Sequence, residues 1–216
     1  MEFSCYGNSI SDNILIQPVD EHDWKMLDSE INYIKELSGS DDFYLIAAKV
    51  DNWNDDLSPW QAPPVFGNDA FGGYGKRSLD EITKMIERGI LSDKAKNSVS
   101  LYIGGYSLAG LFALWGVYRT DMFKGAAAVS PSVWFPGFDE YIDSNNAKTQ
   151  KVYLSLGDKE EKTKNPVMAT VGDAIKSIHK RLEKETDCFL EWNEGNHFKE
   201  PELRTAKGFA WLLGKR

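Results

Sequence analysis

Short apolar runs alternate with longer amphipathic segments along this sequence, and that alternation limits the fold more than any other feature. The apolar runs are predicted strands, at residues 13–18, 43–50, 99–104, 125–130, 151–156 and 188–192. Most of them are apolar at nearly every position, which is typical of strands that helices cover on both faces. The pattern therefore predicts βαβ units and a compact α/β fold with a mostly parallel sheet of about six strands.

The segments between these runs carry helix signals. Residues 78–81 form a Ser-x-x-Glu capping box, which predicts a helix that starts there and stops at Gly89. Asn165 and Glu200 each precede a proline, and this arrangement predicts the starts of two further helices. In a sheet of this kind, ligands bind at the C-terminal ends of the strands. We therefore expect functional residues in the loops that follow the strands.

The length and the charge limit the possible partners. The chain has 216 residues, which fits a single domain over residues 1–216. Its net charge is −8 and it has no basic run, so neither a nucleic acid nor a membrane is expected as a partner. No apolar window approaches the roughly 20 residues of a membrane span, and the N-terminus lacks a signal-peptide layout, which predicts a cytoplasmic protein. Cys5 and Cys188 form no CxxC pair, so no disulfide is expected, and no oligomeric state is predicted.

A candidate nucleophile follows the predicted strand at 99–104. Ser107 lies in a Gly-x-Ser-x-small turn that leads into a predicted helix at about 108–118. A serine on so sharp a turn has a strained backbone, and the residues two positions before and after it must be small. Gly105 and Ala109 fill these positions, although the usual second residue is glycine. The turn presents the Ser107 hydroxyl at a helix N-terminus, where backbone N–H groups favour a developing negative charge.

A serine nucleophile needs a general base, and histidine is the usual one. His179 lies inside a predicted helix beside charged residues, as a solvated surface residue does. His22 lies in the acidic stretch 20–23 without a histidine or cysteine partner at metal-ligand spacing, so no metal site is predicted there. His197 lies in the loop between the last predicted strand and the last predicted helix, at a strand's C-terminal end. We therefore predict His197 as the base.

The acid that orients the histidine lies between the serine and the histidine when the chain order is Ser, Asp/Glu, His. The strand at 151–156 ends in the sequence GDKEE, which places acids directly after a strand. In Gly-x-x-acid geometry Glu160 is the match, and Asp158 is a competitor because the turn could present either carboxylate. A cluster of acids beside lysines is also typical of an ordinary solvated loop.

The motifs GGYSLAG, SLGDKEE, EGNHF and DNWNDDLSPW together resemble one branch of the α/β-hydrolase superfamily. This branch includes esterase D-like, feruloyl esterase-like and ferric enterobactin esterase-like enzymes. The resemblance runs from Asn13 to Leu213 and implies the α/β-hydrolase fold. Two departures are expected: the N-terminus is too short for the usual opening antiparallel strands, and no insertion is large enough for a lid domain.

Carried over residue by residue, the resemblance implies that Ser107 is the nucleophile, that His197 is the base and acid, and that Glu160 or Asp158 orients the imidazole. The backbone N–H of Leu108 is the implied first donor to the oxyanion.

The second oxyanion donor implied by the resemblance comes from the loop after the strand at 43–50 or from the strand before it, with Asn52 and Trp53 as the candidates. The long segment 51–76 also holds Trp60, and Trp134 follows the strand at 125–130. These three tryptophans could wall an aromatic pocket for phenolic, aryl or sugar substrates, although packing could explain each of them. Tyr106 is a further candidate to contact the substrate.

The expected function is that of a serine carboxylic ester hydrolase acting on a small-molecule ester through an acyl-enzyme, with no metal or organic cofactor. An acyltransferase, or a hydrolase of thioesters or lactones, would use the same triad. A different alternative is a non-catalytic binding protein with this fold, whose expected sign is a broken triad. Fold alone does not imply an activity, so the prediction depends on the site residues.

Overall fold

The computed structural model describes residues 1–92 and 98–214. Its strands in chain order are β1 (Glu2–Gly7), β2 (Asn13–Val19), β3 (Tyr44–Lys49), β4 (Gln61–Ala62), β5 (Phe71–Gly72), β6 (Ser100–Tyr106), β7 (Gly125–Val129), β8 (Lys151–Gly157) and β9 (Asp187–Asn193). In the described part of the chain, seven of them form one sheet in the order β1-β3-β2-β6-β7-β8-β9, and β4 pairs with β5 separately. All neighbours in the large sheet are parallel except β1 and β3. The predicted α/β fold with a mostly parallel sheet is thus confirmed.

The strand β1 is the element that the sequence pattern missed. It pairs antiparallel with β3, with Glu2 opposite Lys49 and Gly7 opposite Tyr44. The expectation that the chain lacks an opening antiparallel strand is therefore wrong. The reason is physical: β1 is an edge strand whose residues are all partly or fully exposed, so it carries no continuous apolar run.

The helices fill the connections between the strands. They are α1 (Glu21–Ser38), α2 (Trp53–Leu57), α3 (Gly75–Gly89), α4 (Leu108–Arg119), α5 (Phe138–Asp143), α6 (Val171–Leu182) and α7 (Pro201–Leu212). The last one begins at the predicted proline. The predicted capping box at Ser78 is wrong, because α3 begins three residues earlier, and Ser78 is a buried residue within it. Asn165 caps a turn before α6, since its side-chain oxygen accepts from the N–H groups of Val167 and Met168 at 3.0 and 3.2 Å.

Two layers of helices cover the sheet, and alternate strand residues point to opposite layers. Leu15 and Leu45 face the cluster that contains the inward residues of α1 and α7. Ile16 and Ile46 face the larger cluster, which contains the inward residues of α2 to α6. Burial on both faces explains the continuous apolar runs of the sequence.

The described residues contain no separate lid domain, and none of their helices has the length and apolar character to cross a membrane. The C-terminal ends of β6, β7, β8 and β9 lie next to one another because these strands are parallel neighbours. The loops that follow these four strands therefore meet at one edge of the sheet.

Candidate active site

Ser107 occupies a strained turn between β6 and α4. Its φ is +58° and its ψ is −119°, a conformation that residues other than glycine rarely adopt. The turn requires small neighbours, because a Cβ placed on Gly105 would lie 2.6 Å from Cβ of Ala109. The N–H of Ser107 donates to the carbonyl of Val129 at 3.0 Å, which ties the turn to the end of β7.

His197 lies in the loop after β9 and reaches this serine. Its Nε2 is 3.0 Å from Oγ of Ser107, across 90 residues of sequence. The carbonyl of His197 accepts a hydrogen bond of 2.8 Å from the Tyr106 hydroxyl, and the two rings lie 5.1 Å apart. His22 and His179 lie elsewhere: His22 is exposed in the first turn of α1, and His179 lies on α6 with its Nδ1 3.9 Å from Glu183.

The loop after β8 brings Glu160, rather than Asp158, to the imidazole. Oε2 of Glu160 is 2.7 Å from Nδ1 of His197, so the two ring nitrogens lie between the carboxylate and the serine. The carboxylate of Asp158 instead accepts the N–H of Gly195 at 2.7 Å. Asp158 thus joins the loop after β8 to the loop that carries His197.

The Glu160 carboxylate is held on every side. Its Oε1 accepts from the Ser130 hydroxyl at 2.7 Å and from the N–H of Gly157 at 2.7 Å, and the Arg204 guanidinium lies 3.2 Å away. Burial by itself raises the pKa of Glu160. The hydrogen bond and the charge of His197, together with hydrogen bonds from the Ser130 hydroxyl and the Gly157 N–H, outweigh this effect and leave the pKa of Glu160 below its usual value. Glu160 is therefore a carboxylate at neutral pH.

Arg204 and Ser130 are site residues that the sequence analysis missed. Arg204 lies on α7 with 2% of its surface exposed, and its guanidinium also donates to the Tyr106 hydroxyl at 3.1 Å and to the Glu194 carbonyl at 2.9 Å. Ser130 has a φ of +42°, and its hydroxyl donates to Oε1 of Glu160 at 2.7 Å. No local pattern marks either residue, because an arginine in a polar helix turn and a serine at a strand end are both common.

Three predicted contact residues have other roles in the structure. Tyr106 does not line the cavity beside Ser107; its hydroxyl binds His197 and Arg204 instead. Asn52 caps α2, and its own N–H donates to Asp56 at 3.0 Å, so that N–H is unavailable as an oxyanion donor. The contacts of Tyr106 are with residues more than 90 positions away in sequence, so no local pattern could show them.

Trp60 is the third of these residues, and it also lies outside the cavity. Its ring packs against those of Phe135, Phe138 and Tyr141, and its Nε1 donates to the Pro136 carbonyl at 3.0 Å. This packing joins the segment after α2 to the segment after β7.

Two backbone N–H groups remain candidates for an oxyanion hole. Leu108 and Trp53 are the first residues of α4 and α2, and both line the cavity that contains Ser107. The N–H of a first helical residue has no acceptor within its own helix. Leu108 and Trp53 thus combine a helix-terminal N–H with a place in the wall of this cavity.

The cavity beside Ser107 has a volume of about 420 Å³ and an aromatic wall. The Trp134 ring lies 5.9 Å from that of Phe66 and 6.4 Å from that of Phe71. Met168, in the turn before α6, and Val171, the first residue of α6, add apolar surface. In residues 1–92 and 98–214, no three His, Cys, Asp or Glu side chains are grouped so that they could hold a metal ion.

No family model matches the chain. A protein of Bacillus subtilis, described as the uncharacterized protein YbbA, is 26% identical over 185 residues, which cover 79% of this chain and 73% of that protein.

Solved structures share the fold at low sequence identity. An IroE-like serine hydrolase from Shewanella oneidensis superposes with a TM-score of 0.77 at 16% identity, over 98% of this chain and 75% of that one. The enterobactin esterase FES from Shigella flexneri, crystallised in the presence of 2,3-dihydroxy-N-benzoyl-glycine, gives a TM-score of 0.63 at 14% identity, over 97% of this chain and 54% of that one. The chain thus has the fold of these serine hydrolases and esterases. This is the α/β-hydrolase fold that the resemblance of its motifs implies.

Proposed function

We propose that this protein is a serine hydrolase that cleaves small-molecule carboxylic esters through an acyl-enzyme. The observation that carries the proposal is the continuous chain from Oγ of Ser107 through both nitrogens of His197 to Oε2 of Glu160, with separations of 3.0 and 2.7 Å. This is the order of nucleophile, base and orienting acid in a Ser-His-acid triad.

Each residue has a defined part in the proposed reaction. His197 takes the proton from Ser107 as the hydroxyl oxygen attacks the ester carbonyl, and Glu160 stabilises the imidazolium that forms. The N–H groups of Leu108 and Trp53 stabilise the oxyanion of the tetrahedral intermediate. His197 then protonates the departing alkoxide or phenoxide and afterwards activates the water that hydrolyses the acyl-enzyme.

The cavity supports an aromatic substrate. Phe66, Phe71 and Trp134 present ring edges and faces within one cavity, and rings pack well in offset or edge-to-face arrangements. The solved esterase of this fold that was crystallised with a benzoyl compound supports the same choice.

The test is covalent labelling together with turnover. Wild type should react with a fluorophosphonate probe and hydrolyse phenyl acetate, because a triad activates serine toward both. Ser107→Ala should lose labelling and about 10⁴-fold or more of kcat, and His197→Ala should lose a similar factor. Peptide mapping of the labelled protein by mass spectrometry identifies the modified residue.

Ser132→Ala is the matched control, because the Ser132 hydroxyl lies 3.4 Å from that of Ser107 in the same cavity. This variant should still be labelled. A wild type that neither labels nor turns over would favour the non-catalytic binding protein, and labelling that persists in Ser107→Ala would refute the proposed nucleophile.

A further inference from the structure

Two lysines stand at the same cavity as the candidate nucleophile. Lys159 and Lys162 flank Glu160 in the loop after β8, and both line the cavity that contains Ser107. The chain as a whole carries a formal net charge of −8. A pair of cations at this position therefore runs against the overall charge of the molecule.

Among the described residues, no carboxylate forms an ion pair with either ammonium group. Lys199 and Lys207, which lie near the same edge of the sheet, bind Glu194 and Glu191 at 3.3 and 2.6 Å. Within residues 1–92 and 98–214, no ion pair or side-chain hydrogen bond involves Lys159 or Lys162. Both side chains are exposed, so their charges are solvated and accessible to a ligand at this cavity.

No acid inside the cavity compensates for them either. Glu160 is the one carboxylate among the described lining residues, and its side chain is 4% exposed. Both of its oxygens are already occupied, one by His197 and the other by Ser130 and the backbone of Gly157. Among the described lining residues, the charges without an ionic partner are therefore positive.

The remaining wall is apolar and aromatic. Phe66 is 46% exposed at the mouth, and its ring contacts those of Phe71 and Trp134 at centroid distances of 6.3 and 5.9 Å. A ligand that fills this cavity thus meets a ring-binding surface and two unpaired cations. A volume of about 420 Å³ can hold a ligand with one aromatic ring and a substituent.

We propose that the site selects aromatic esters that carry an anionic group, with a carboxylate as the simplest case. The ring packs on Phe66 and Trp134, and the anion lies beside Lys159 and Lys162. This inference rests on the proposed hydrolase function for turnover, but the selection itself is a property of binding. Because exposed ion pairs are weak and screened by salt, the preference should be moderate and should fall as ionic strength rises.

The kinetic test compares two esters that differ in one charge, 4-acetoxybenzoate and 4-acetoxybenzamide. The measured quantity is the ratio of kcat/KM for the anionic ester to kcat/KM for the neutral one, within each protein. The double variant Lys159→Gln/Lys162→Gln should lower this ratio by about three- to twentyfold relative to wild type. A reduction of less than threefold would overturn the inference.

Lys164→Gln is the matched control, because Lys164 is an exposed lysine of the same loop that does not line the cavity. It removes one positive charge at a similar place in the sequence and should leave the ratio unchanged. Added sodium chloride should lower the ratio for wild type and for Lys164→Gln, and should have little effect on the double variant.

A binding test separates this inference from the proposed function. Binding of 4-acetoxybenzoate and of 4-acetoxybenzamide to Ser107→Ala is measured by titration with ligand-observed NMR. The same titrations are repeated with the triple variant Ser107→Ala/Lys159→Gln/Lys162→Gln. A charge preference that disappears with the lysines supports the inference even if wild type hydrolyses neither ester, an outcome that would refute only the hydrolase function. Turnover by wild type, with equal binding of both esters before and after lysine removal, would refute only the anion selection.

Discussion

Two serines with positive φ organise the site at the scale of single residues. Ser107 has a φ of +58° and presents its hydroxyl to His197, and Ser130 has a φ of +42° and presents its hydroxyl to Glu160. Such conformations cost on the order of 1–3 kcal/mol each and persist only where the surroundings impose them. Here the N–H groups of both serines donate across to neighbouring strands, to the carbonyls of Val129 and Ser155. The backbone strain therefore lies at Ser107 and Ser130, the two serines whose hydroxyls contact His197 and Glu160.

Replacement of the acid tests the geometry at Glu160. Glu160→Gln should lower kcat by about 10³- to 10⁴-fold, because the amide neither fixes the required tautomer of His197 nor stabilises its charged form. The control is Asp158→Asn, which alters the neighbouring carboxylate and should cost less than about tenfold, since Asp158 accepts only backbone N–H from Gly195. Steady-state kinetics on phenyl acetate, with circular dichroism to verify folding, measure both effects. A larger loss of kcat in Asp158→Asn than in Glu160→Gln would show that Asp158, and not Glu160, orients His197.

At the scale of elements, the loops after β8 and β9 approach so closely that glycine is required between them. A Cβ on Gly157 would collide with the carbonyl oxygen of Gly195 and lie 3.0 Å from Oε1 of Glu160. Gly157 also donates its N–H to that carboxylate. This contact holds the acid loop against the histidine loop, so the spacing of His197 and Glu160 depends on a residue without a side chain.

Gly157→Ala should separate these two loops. We expect the free energy of unfolding to fall by about 1–3 kcal/mol, because the backbone around the added methyl group must move. The rate of probe labelling at Ser107 should fall as well, since Glu160 and His197 shift apart. Gly89→Ala is the control, because Gly89 ends α3 with nothing within 4 Å of the added Cβ. Urea unfolding and labelling rates that match those of the control would contradict this account.

At the scale of the whole molecule, two buried acids with opposite pKa shifts shape the dependence of stability on pH. The pKa of Glu160 is lowered, so its contribution to stability is present above its ordinary pKa of 4.5 and is lost as the pH falls below that value. Burial raises the pKa of Glu30 to about 8, with Asp23 and Glu202 adding to the rise and a hydrogen bond from Gln17 opposing it. Glu30 therefore keeps its proton in the folded protein at neutral pH.

Glu30→Gln tests that protonated state. Between pH 4.5 and about 8 the unfolded chain has lost the Glu30 proton and the folded chain retains it, so the stability of wild type falls as the pH rises across this window. The free energy of unfolding of Glu30→Gln, taken relative to wild type, should therefore increase with pH. Urea unfolding at about pH 5, 7 and 8 measures it, and the exposed Glu161→Gln serves as the control. A difference that stays constant with pH would contradict the buried, protonated Glu30.

The sheet and its connections were predictable to different degrees. The central strands can be predicted from their apolar runs, because burial on both faces of the sheet makes nearly every residue of such a strand apolar. The edge strand β1 has no continuous apolar run. The helix α3 begins before its apparent capping box because Gly75 and Ser58 interact across the intervening hairpin, with the N–H of Gly75 donating to the Ser58 carbonyl at 2.9 Å. Such contacts between distant segments are absent from any local pattern.

Local patterns in the sequence account for the βα alternation, the small residues around Ser107 and the position of His197 after a strand, because periodicity and turn sterics act over a few neighbouring residues. The folded structure places the Glu160 carboxylate against the imidazole and the Asp158 carboxylate against the N–H of Gly195, although the two acids lie two residues apart in one loop. It also decided that Arg204 is buried beside Glu160, 44 residues away in sequence. Hydrogen bonds between loops depend on distances that arise only when the sheet brings its strand ends together.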